Sequence, residues 1–308
     1  MDRRYRGSLG CSVSLRIIPF VAALMFLSAA QPYCQQSLDL EKQKWIHGSD
    51  LCSQNTDPGL QVVQYNATTY ILRQNKCLNY EAPFLYLFIG SEKALLVDTG
   101  AEAPDASFPL FETVTNILKK KDGASLPLIV IHSHGHGDHH AGDHQFVDKV
   151  NVRLVPPVKD SIVAFFKLKP WPTSQTLFDL GKRKVTIIPI PGHDELSVAI
   201  YDDTTHWLLT GDTIYPGRLY VRDGGAFRSS IVRLHSFSKT HPVSYLMGNH
   251  IEMTTTPGID YPTGTTYQPK EHALPMGLNV LEELYKSCER MGDNIVYEVH
   301  DDFIIVPK

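Results

Sequence analysis

Apolar residues along the chain recur with two spacings. Short runs at 60–65, 69–73, 84–89 and 94–98 have the length and the β-branched and aromatic content of strands. The runs at 124–131 and 185–190 are apolar almost without interruption, which predicts strands covered on both faces. Between and after them the period changes. Phe108, Phe111, Val114, Ile117 and Leu118, then Ile162, Val163, Phe165 and Phe166, and later Leu278, Leu281, Leu284, Tyr285 and Cys288 recur at helical spacing. Strands and helices therefore alternate, and the class is α/β. No internal repeat, low-complexity tract or Pro/Ser-rich linker divides the chain. One folded domain over 60–308 is expected, preceded by a polar extension over 31–59.

The first thirty residues read differently. Arg3, Arg4, Arg6 and Arg16 precede an apolar run at 17–27, and Ser28-Ala29-Ala30 supplies the small residues after which a signal peptidase cuts. The whole apolar stretch, 17–30, contains Pro19 and falls short of the roughly 20 residues that a membrane span needs. We read 1–30 as a signal peptide, which predicts a periplasmic or secreted protein with no membrane role beyond export.

Composition then narrows the function. At 43% hydrophobic and 20% charged residues, the chain has enough apolar surface for a full core. Loss of the leader removes four Arg and Asp2, leaving 25 basic against 32 acidic side chains. No Lys/Arg face is evident, so no nucleic-acid partner is expected and a small-molecule substrate is. Cys34, Cys52, Cys77 and Cys288 allow three pairings in an oxidising compartment. Cys52 with Cys77, closing a loop of about 25 residues, is the preferred one.

Six of the fourteen histidines fall between 132 and 144. The segment Ile131-His132-Ser133-His134-Gly135-His136-Gly137-Asp138-His139-His140 starts where an apolar strand ends, at the strand terminus where α/β folds build their sites. His134 and His136 at i and i+2 are placed to face one cation, given a backbone curl at Gly135. Gly137 supplies the same freedom ahead of Asp138 and His139, which face a second. Imidazole and carboxylate without thiolate suit Zn²⁺ first, with Fe or Mn next. Three later segments repeat one pattern of strand, glycine, ligand: Pro191-Gly192-His193, Thr210-Gly211-Asp212 and Gly248-Asn249-His250.

With Leu96-Val97-Asp98-Thr99-Gly100, these five motifs stand in an order that resembles the metallo-β-lactamase-fold hydrolase superfamily, from about residue 60 to 250. The resemblance implies an αββα four-layer sandwich with a site for two Zn²⁺ along one edge. It assigns His134, His136 and His193 to one metal and Asp138, His139 and His250 to the other, with Asp212 bridging. Asp98 is expected to hydrogen-bond the ligands from behind. His132, His140 and His144 match no ligand position.

Two Zn²⁺ bring four positive charges against two from Asp138 and Asp212, a balance that favours a bridging hydroxide attacking an acyl carbon. Asp138 then serves both as ligand and as proton acceptor. Tyr215, three residues after Asp212, has a spacing similar to that of the superfamily's N-acyl-homoserine lactonases, where the phenol holds a carbonyl oxygen. It is a candidate oxyanion donor, with simple packing beside the site as the alternative. A carboxylate at 212 argues against penicillin cleavage as the main task, because true β-lactamases of this fold carry Cys there or lack the bridge. The expected activity is hydrolysis of a small ester, lactone or thioester; alternatives are β-lactam hydrolysis and a non-catalytic binding role. The segments 79–84 and 217–222 are expected to edge the pocket, and 254–268, with Tyr261 and Tyr267, to lie over the metals.

Overall fold

The computed structural model describes residues 38–119 and 125–308. The chain opens with strands β1 (Leu60–Asn66), β2 (Thr69–Gln74), β3 (Phe84–Ile89) and β4 (Ala94–Val97), crosses through helix α1 (Leu110–Leu118), and continues with β5 (Leu128–Ile131). A short helix α2 (Gly137–His140) precedes β6 (Val152–Leu154), and α3 (Lys159–Phe166) leads to the second half. There follow β7 (Thr176–Asp179), β8 (Lys184–Pro189), β9 (Val198–Asp202), β10 (Trp207–Gly211) and β11 (Arg218–Val221). Helix α4 (Gly224–Ser238), β12 (Tyr245–Gly248), β13 (Pro275–Met276), α5 (Leu278–Met291), β14 (Glu298–Val299) and β15 (Ile304–Pro307) complete it.

Six strands, β1 to β6 in chain order, form the first sheet. The second runs β13-β12-β10-β9-β8-β7, and a third, small sheet runs β11-β15-β14. Strands β4, β5 and β6 are parallel neighbours, so their carboxyl ends point the same way; β10 and β12 are likewise parallel.

Alternation along β3 shows how the layers arise. Phe84, Tyr86 and Phe88 project between the two large sheets, where they join Ile187, Ile200, Trp207 and Met247. Leu85 and Leu87 project the other way and pack with Leu110, Val114 and Leu118 of α1. Both faces are apolar, so the strand reads as a continuous run. The far side of the second sheet, including Tyr201 and Leu208, packs on Phe227, Ile231 and Leu234 of α4 and on Leu281 and Leu284 of α5. The result is helix, sheet, sheet, helix, the αββα order implied by the sequence. Each fully buried aromatic or aliphatic side chain contributes roughly 1.5–3 kcal/mol to holding the layers together. Arg183 ties the two sheets at one end: Nε and Nη2 donate to Asp202 at 2.7 and 2.8 Å, and Nη1 donates to the Thr68 carbonyl at 2.6 Å.

One boundary differs from expectation. Residues 38–59 are not a detached extension: Leu40 and Trp45 are buried, and the Trp45 ring meets Phe84 edge-on at 4.9 Å. The domain thus begins before 60, because these apolar side chains, spaced too irregularly to read as an element, complete the core between the sheets. The disulfide Cys52–Cys77 fastens the same segment, while Cys288 is a buried free thiol. Cys34 and the predicted leader, 1–30, lie outside the described residues.

Candidate metal centre

Every ligand-type residue singled out above sits where a strand ends. The loop after β5 carries His134 and His136; the first turn of α2 carries Asp138 and His139; the loops after β8, β10 and β12 deliver His193, Asp212 and His250. The curl between His134 and His139 does not come from glycine, contrary to expectation. Neither Gly135 nor Gly137 has positive φ, and a Cβ on Gly137 would meet nothing within 4 Å. The turn into α2 itself brings the side chains round, since His136 is extended at the helix start while Asp138 and His139 lie in its first turn. Glycine is required elsewhere. Gly192 has φ of 142°, and a Cβ there would stand 2.4 Å from the Phe227 Cα, so the His193 loop presses directly on the first turn of α4.

The side chains gather into two groups, His134 with His136 and His193, and Asp138 with His139, Asp212 and His250; within each, ligand atoms lie within 4.8 Å of one another. In the first group, His136 Nδ1 is 2.9 Å from His134 Nε2 and 3.1 Å from His193 Nε2. In the second, Asp138 Oδ2 is 3.2 Å from His139 Nε2 and 3.3 Å from His250 Nε2. Asp212 Oδ2 stands between the groups, 3.8 and 3.9 Å from Nε2 of His134 and His193 and 3.5 Å from Nε2 of both His139 and His250.

The outer ring nitrogens are held by the frame. His139 Nδ1–H donates to Asp98 Oδ2 at 3.0 Å, His193 Nδ1–H to the Tyr220 carbonyl at 2.9 Å, and His250 Nδ1–H to the Glu81 carbonyl at 2.9 Å. Each bond fixes the tautomer that turns Nε2 inward. Asp98, fully buried, also accepts from the Ser133 amide at 2.6 Å, the Ser133 hydroxyl at 2.8 Å and Asn249 Nδ2 at 2.6 Å. It therefore grips the residues next to His134 and His250 as well as His139.

The electrostatics suit a cation. Burial, with His139 close by, holds His134 well below the ordinary imidazole range; burial also lowers His193. Burial opposes ionisation of Asp138 and Asp212, but His139 and His250 outweigh it and hold both carboxyls low. Burial likewise opposes a charge on His250, yet Asp212 and Asp138 lift it to about 9, and His139 rises for the same reason. Without a cation, protons on these two imidazoles neutralise the paired carboxylates; a divalent ion would replace them. The donor set fits such ions. Inward nitrogens and oxygens about 3 Å apart match ligands each roughly 2.0–2.1 Å from a tetrahedral centre. Asp212 Oδ1 is buried with no hydrogen-bond partner, an orphaned acceptor that a cation would satisfy.

The remaining candidates divide. His132 Nε2–H donates to Asp143 at 2.8 Å and His144 to Asp105 at 2.7 Å, so both serve the frame. His140 stands beside His132, with ring centroids 6.0 Å apart. Tyr215 is buried beside the site, its ring 5.8 Å from His250, but its hydroxyl lies 2.6 Å from the Arg218 carbonyl and 3.0 Å from Glu252 Oε2. Its single proton is committed to acceptors of the protein, which favours the packing alternative over oxyanion donation. Tyr261 accepts from the Lys270 amide and Tyr267 lies against His47, so neither is turned over the ligands; Pro262 to Thr265 do line a small cavity beside His250. Segments 79–84 and 217–222 edge the site as expected, through Glu81, Tyr220 and Arg222. Sequence reasoning missed Ser133 as a donor to Asp98 and Lys308 beside the site: Ser133 lies within the histidine segment but has no ligand chemistry of its own, and Lys308 carries no periodic or motif signal.

The match to a family model follows this geometry. Residues 81–247, more than half of the chain, match the metallo-beta-lactamase superfamily, and the protein belongs to it. It is an enzyme of the hydrolase class. Among curated proteins it is similar to the acyl-coenzyme A thioesterase MBLAC2 of Homo sapiens, 27% identical over 44% of this chain, and to that of Bos taurus at 26%. The match spans 59% of the length of each of these relatives. Among solved structures, the metallo-beta-lactamase from Pontibacter korlensis aligns with a TM-score of 0.50 at 17% identity, over 75% of this chain and 99% of that one. The metallo beta lactamase from Hirschia baltica gives 0.52 at 16%, over 75% and 97%. At these identities the likeness is one of fold.

Proposed function

We propose that the protein is an exported dinuclear zinc hydrolase acting on the acyl carbon of a small ester, lactone or thioester. The observation that carries this reading is the position of Asp212 Oδ2, within 3.5–3.9 Å of four inward imidazole nitrogens drawn from three separate segments of the chain. His134, His136 and His193 would hold one ion and Asp138, His139 and His250 the other, with Asp212 between them; the same donors accept Fe or Mn. When bound, the ions supply Lewis acidity and water ionised near neutral pH. Asp138, held ionised and partly open to solvent, accepts a proton from the attacking water and can return it to the leaving group. Asp98 keeps the His134–His139 and His250 segments in register. A cavity of about 260 Å³ lined by His136, Asp138, Asp212 and His250 is large enough for a short acyl chain and its leaving group.

The names of the curated relatives favour a thioester within this class. Export is supported by the leader-like 1–30 and by a disulfide between Cys52 and Cys77. The test is metal analysis of the purified protein, followed by a panel of esters, lactones, thioesters and a chromogenic cephalosporin. We expect close to two zinc ions per chain and acyl hydrolysis that stops with chelator and returns with Zn²⁺. Metal-independent turnover, or turnover of the cephalosporin alone, would overturn the reading.

A further inference from the structure

The small third sheet has no part in the ligand set, yet it forms one side of the metal cavity. Strand β11 is bound to the loop that carries His193: the Tyr220 carbonyl accepts from His193 Nδ1–H at 2.9 Å, and the Arg222 amide donates to the Gly192 carbonyl at 2.9 Å. Strand β15 runs parallel to β11, and the Lys308 amide donates to the Val221 carbonyl, which brings Lys308 Nζ over the Tyr220 ring at 4.3 Å. Tyr220 is braced from its other end by Arg218 Nε, which donates to its hydroxyl at 3.0 Å.

Arg222 and Lys308 both line the cavity that holds the ligands, and both are exposed. Neither has an ion-pair partner among the described residues. Arg218, the other cation nearby, is by contrast fully engaged with Glu252 and Asp260. Glu252 is thereby occupied, and Glu81, the other carboxylate of the cavity outside the ligand set, is engaged by the Tyr80 hydroxyl. Both cations open onto the cavity without a carboxylate partner among the described residues, and a substrate anion reaching that wall would pair with them.

We infer that Arg222 and Lys308 form an anion-anchoring rim, so that the substrate is an acyl compound bearing a carboxylate or phosphate group away from the scissile bond. This rests on the hydrolase reading above and deepens it. The rim binds the charged end while the acyl carbon lies over the ligand cluster. Because the two cations directly follow β11 and β15, with Arg222 bonded through its amide to the His193 loop and Lys308 to β11, the anchor keeps its distance from the metal ligands.

The test uses three acetyl thioesters with a thiol-release assay: acetyl-coenzyme A carrying phosphates, S-acetyl-3-mercaptopropionate carrying a carboxylate, and neutral S-acetyl-N-acetylcysteamine. In Arg222→Ala and Lys308→Ala we expect the preference for an anionic over the neutral substrate to fall about tenfold, through KM. Arg222→Lys should recover part of it. A fall confined to acetyl-coenzyme A identifies phosphate as the recognised group, and one confined to the mercaptopropionate identifies carboxylate. Calorimetric titration of adenosine 3′,5′-bisphosphate and of glutarate, with wild type and Arg222→Ala after chelation, reads the anchor without turnover. Hydrolysis of none of the thioesters with anion binding weakened about tenfold in the variant would defeat the thioester reading and support the rim. Preference ratios and dissociation constants that match wild type would overturn the rim.

Discussion

The Nδ1–H of His139 donates to Asp98 Oδ2 across 3.0 Å, and that same oxygen accepts from the Ser133 hydroxyl and from Asn249. One buried carboxylate thus joins two ligand-bearing segments, around His134–His139 and at His250, that are distant in sequence. Asp98 adopts φ of 69°, a left-handed conformation that Asp tolerates better than most residues. Its rigidity follows from accepting four hydrogen bonds with no solvent to compete.

Asp98→Asn should be among the most damaging substitutions that leave all seven candidate ligands intact. The amide keeps the size but presents donors to the Ser133 and Asn249 donors, leaving buried groups unpaired. We expect zinc affinity to fall about 10–100-fold, with the second group, which contains His139, losing its ion first. Competition titration with a chromophoric chelator measures this; affinity equal to wild type at both positions would remove Asp98 from the role.

Tyr215 tests the opposite case, a residue near the ligands that does not act in the reaction. Tyr215→Phe deletes one hydroxyl and leaves the Glu252 carboxylate with its Arg218 contacts. We expect a loss of about 1 kcal/mol in stability and a change in kcat under twofold. A hundredfold fall in kcat with unchanged KM would instead show the phenol donating to the developing oxyanion.

The disulfide has a measurable share in placing the N-terminal segment. Cys52 and Cys77 close 25 residues, and the chain beyond Cys77 supplies the Glu81 carbonyl that orients His250. Cys52→Ser with Cys77→Ser should lower stability by about 3 kcal/mol in denaturant titration, with a larger effect on ligand occupancy at the Asp138, His139 and His250 position than at the other. Equal stability of the two forms would mean that Trp45 and Leu40 packing alone holds the segment.

Much of this site was legible because its chemistry demands rare residue types at strand ends. His134, His193, Asp212 and His250 each follow an apolar run, and the glycines at 192, 211 and 248 mark where a strand gives way to a close-packed turn. Some strand limits were legible for the same reason: β3 coincides with its apolar run, whereas β5 occupies only Leu128–Ile131 of the run at 124–131, whose Pro127 interrupts the ladder. Helix α4 escaped. Its buried stripe, Phe227, Ile231 and Leu234, has helical spacing, but it starts with Gly224-Gly225 and carries Ser, Arg and His between, which dilutes the pattern below recognition. The packing of Trp45 and the third sheet was equally hidden, because contacts between residues 45 and 84, or between β11 and β15, leave no local period to read.

Lys76 provides a pH-dependent prediction independent of the ligands. Its side chain is buried, with the ammonium donating to the Tyr80 carbonyl at 3.0 Å and no carboxylate of the described residues within ion-pair distance. Burial, reinforced by the nearby Arg73, lowers its pKa from 10.5 to about 8. Between these values the unfolded chain binds a proton that the folded chain does not, so stability rises with pH over that window. Below about 8 both states are protonated and the folded state bears the full penalty of a buried charge, roughly 3 kcal/mol. Lys76→Met should therefore be more stable than wild type at pH 7, less the contribution of the lost Tyr80 contact. The advantage should shrink steadily as pH rises from 8 towards 10. Urea titrations of both proteins at pH 7, 8, 9 and 10 give the difference directly, and a difference that is constant across the four would show that Lys76 keeps an ordinary pKa in the folded protein.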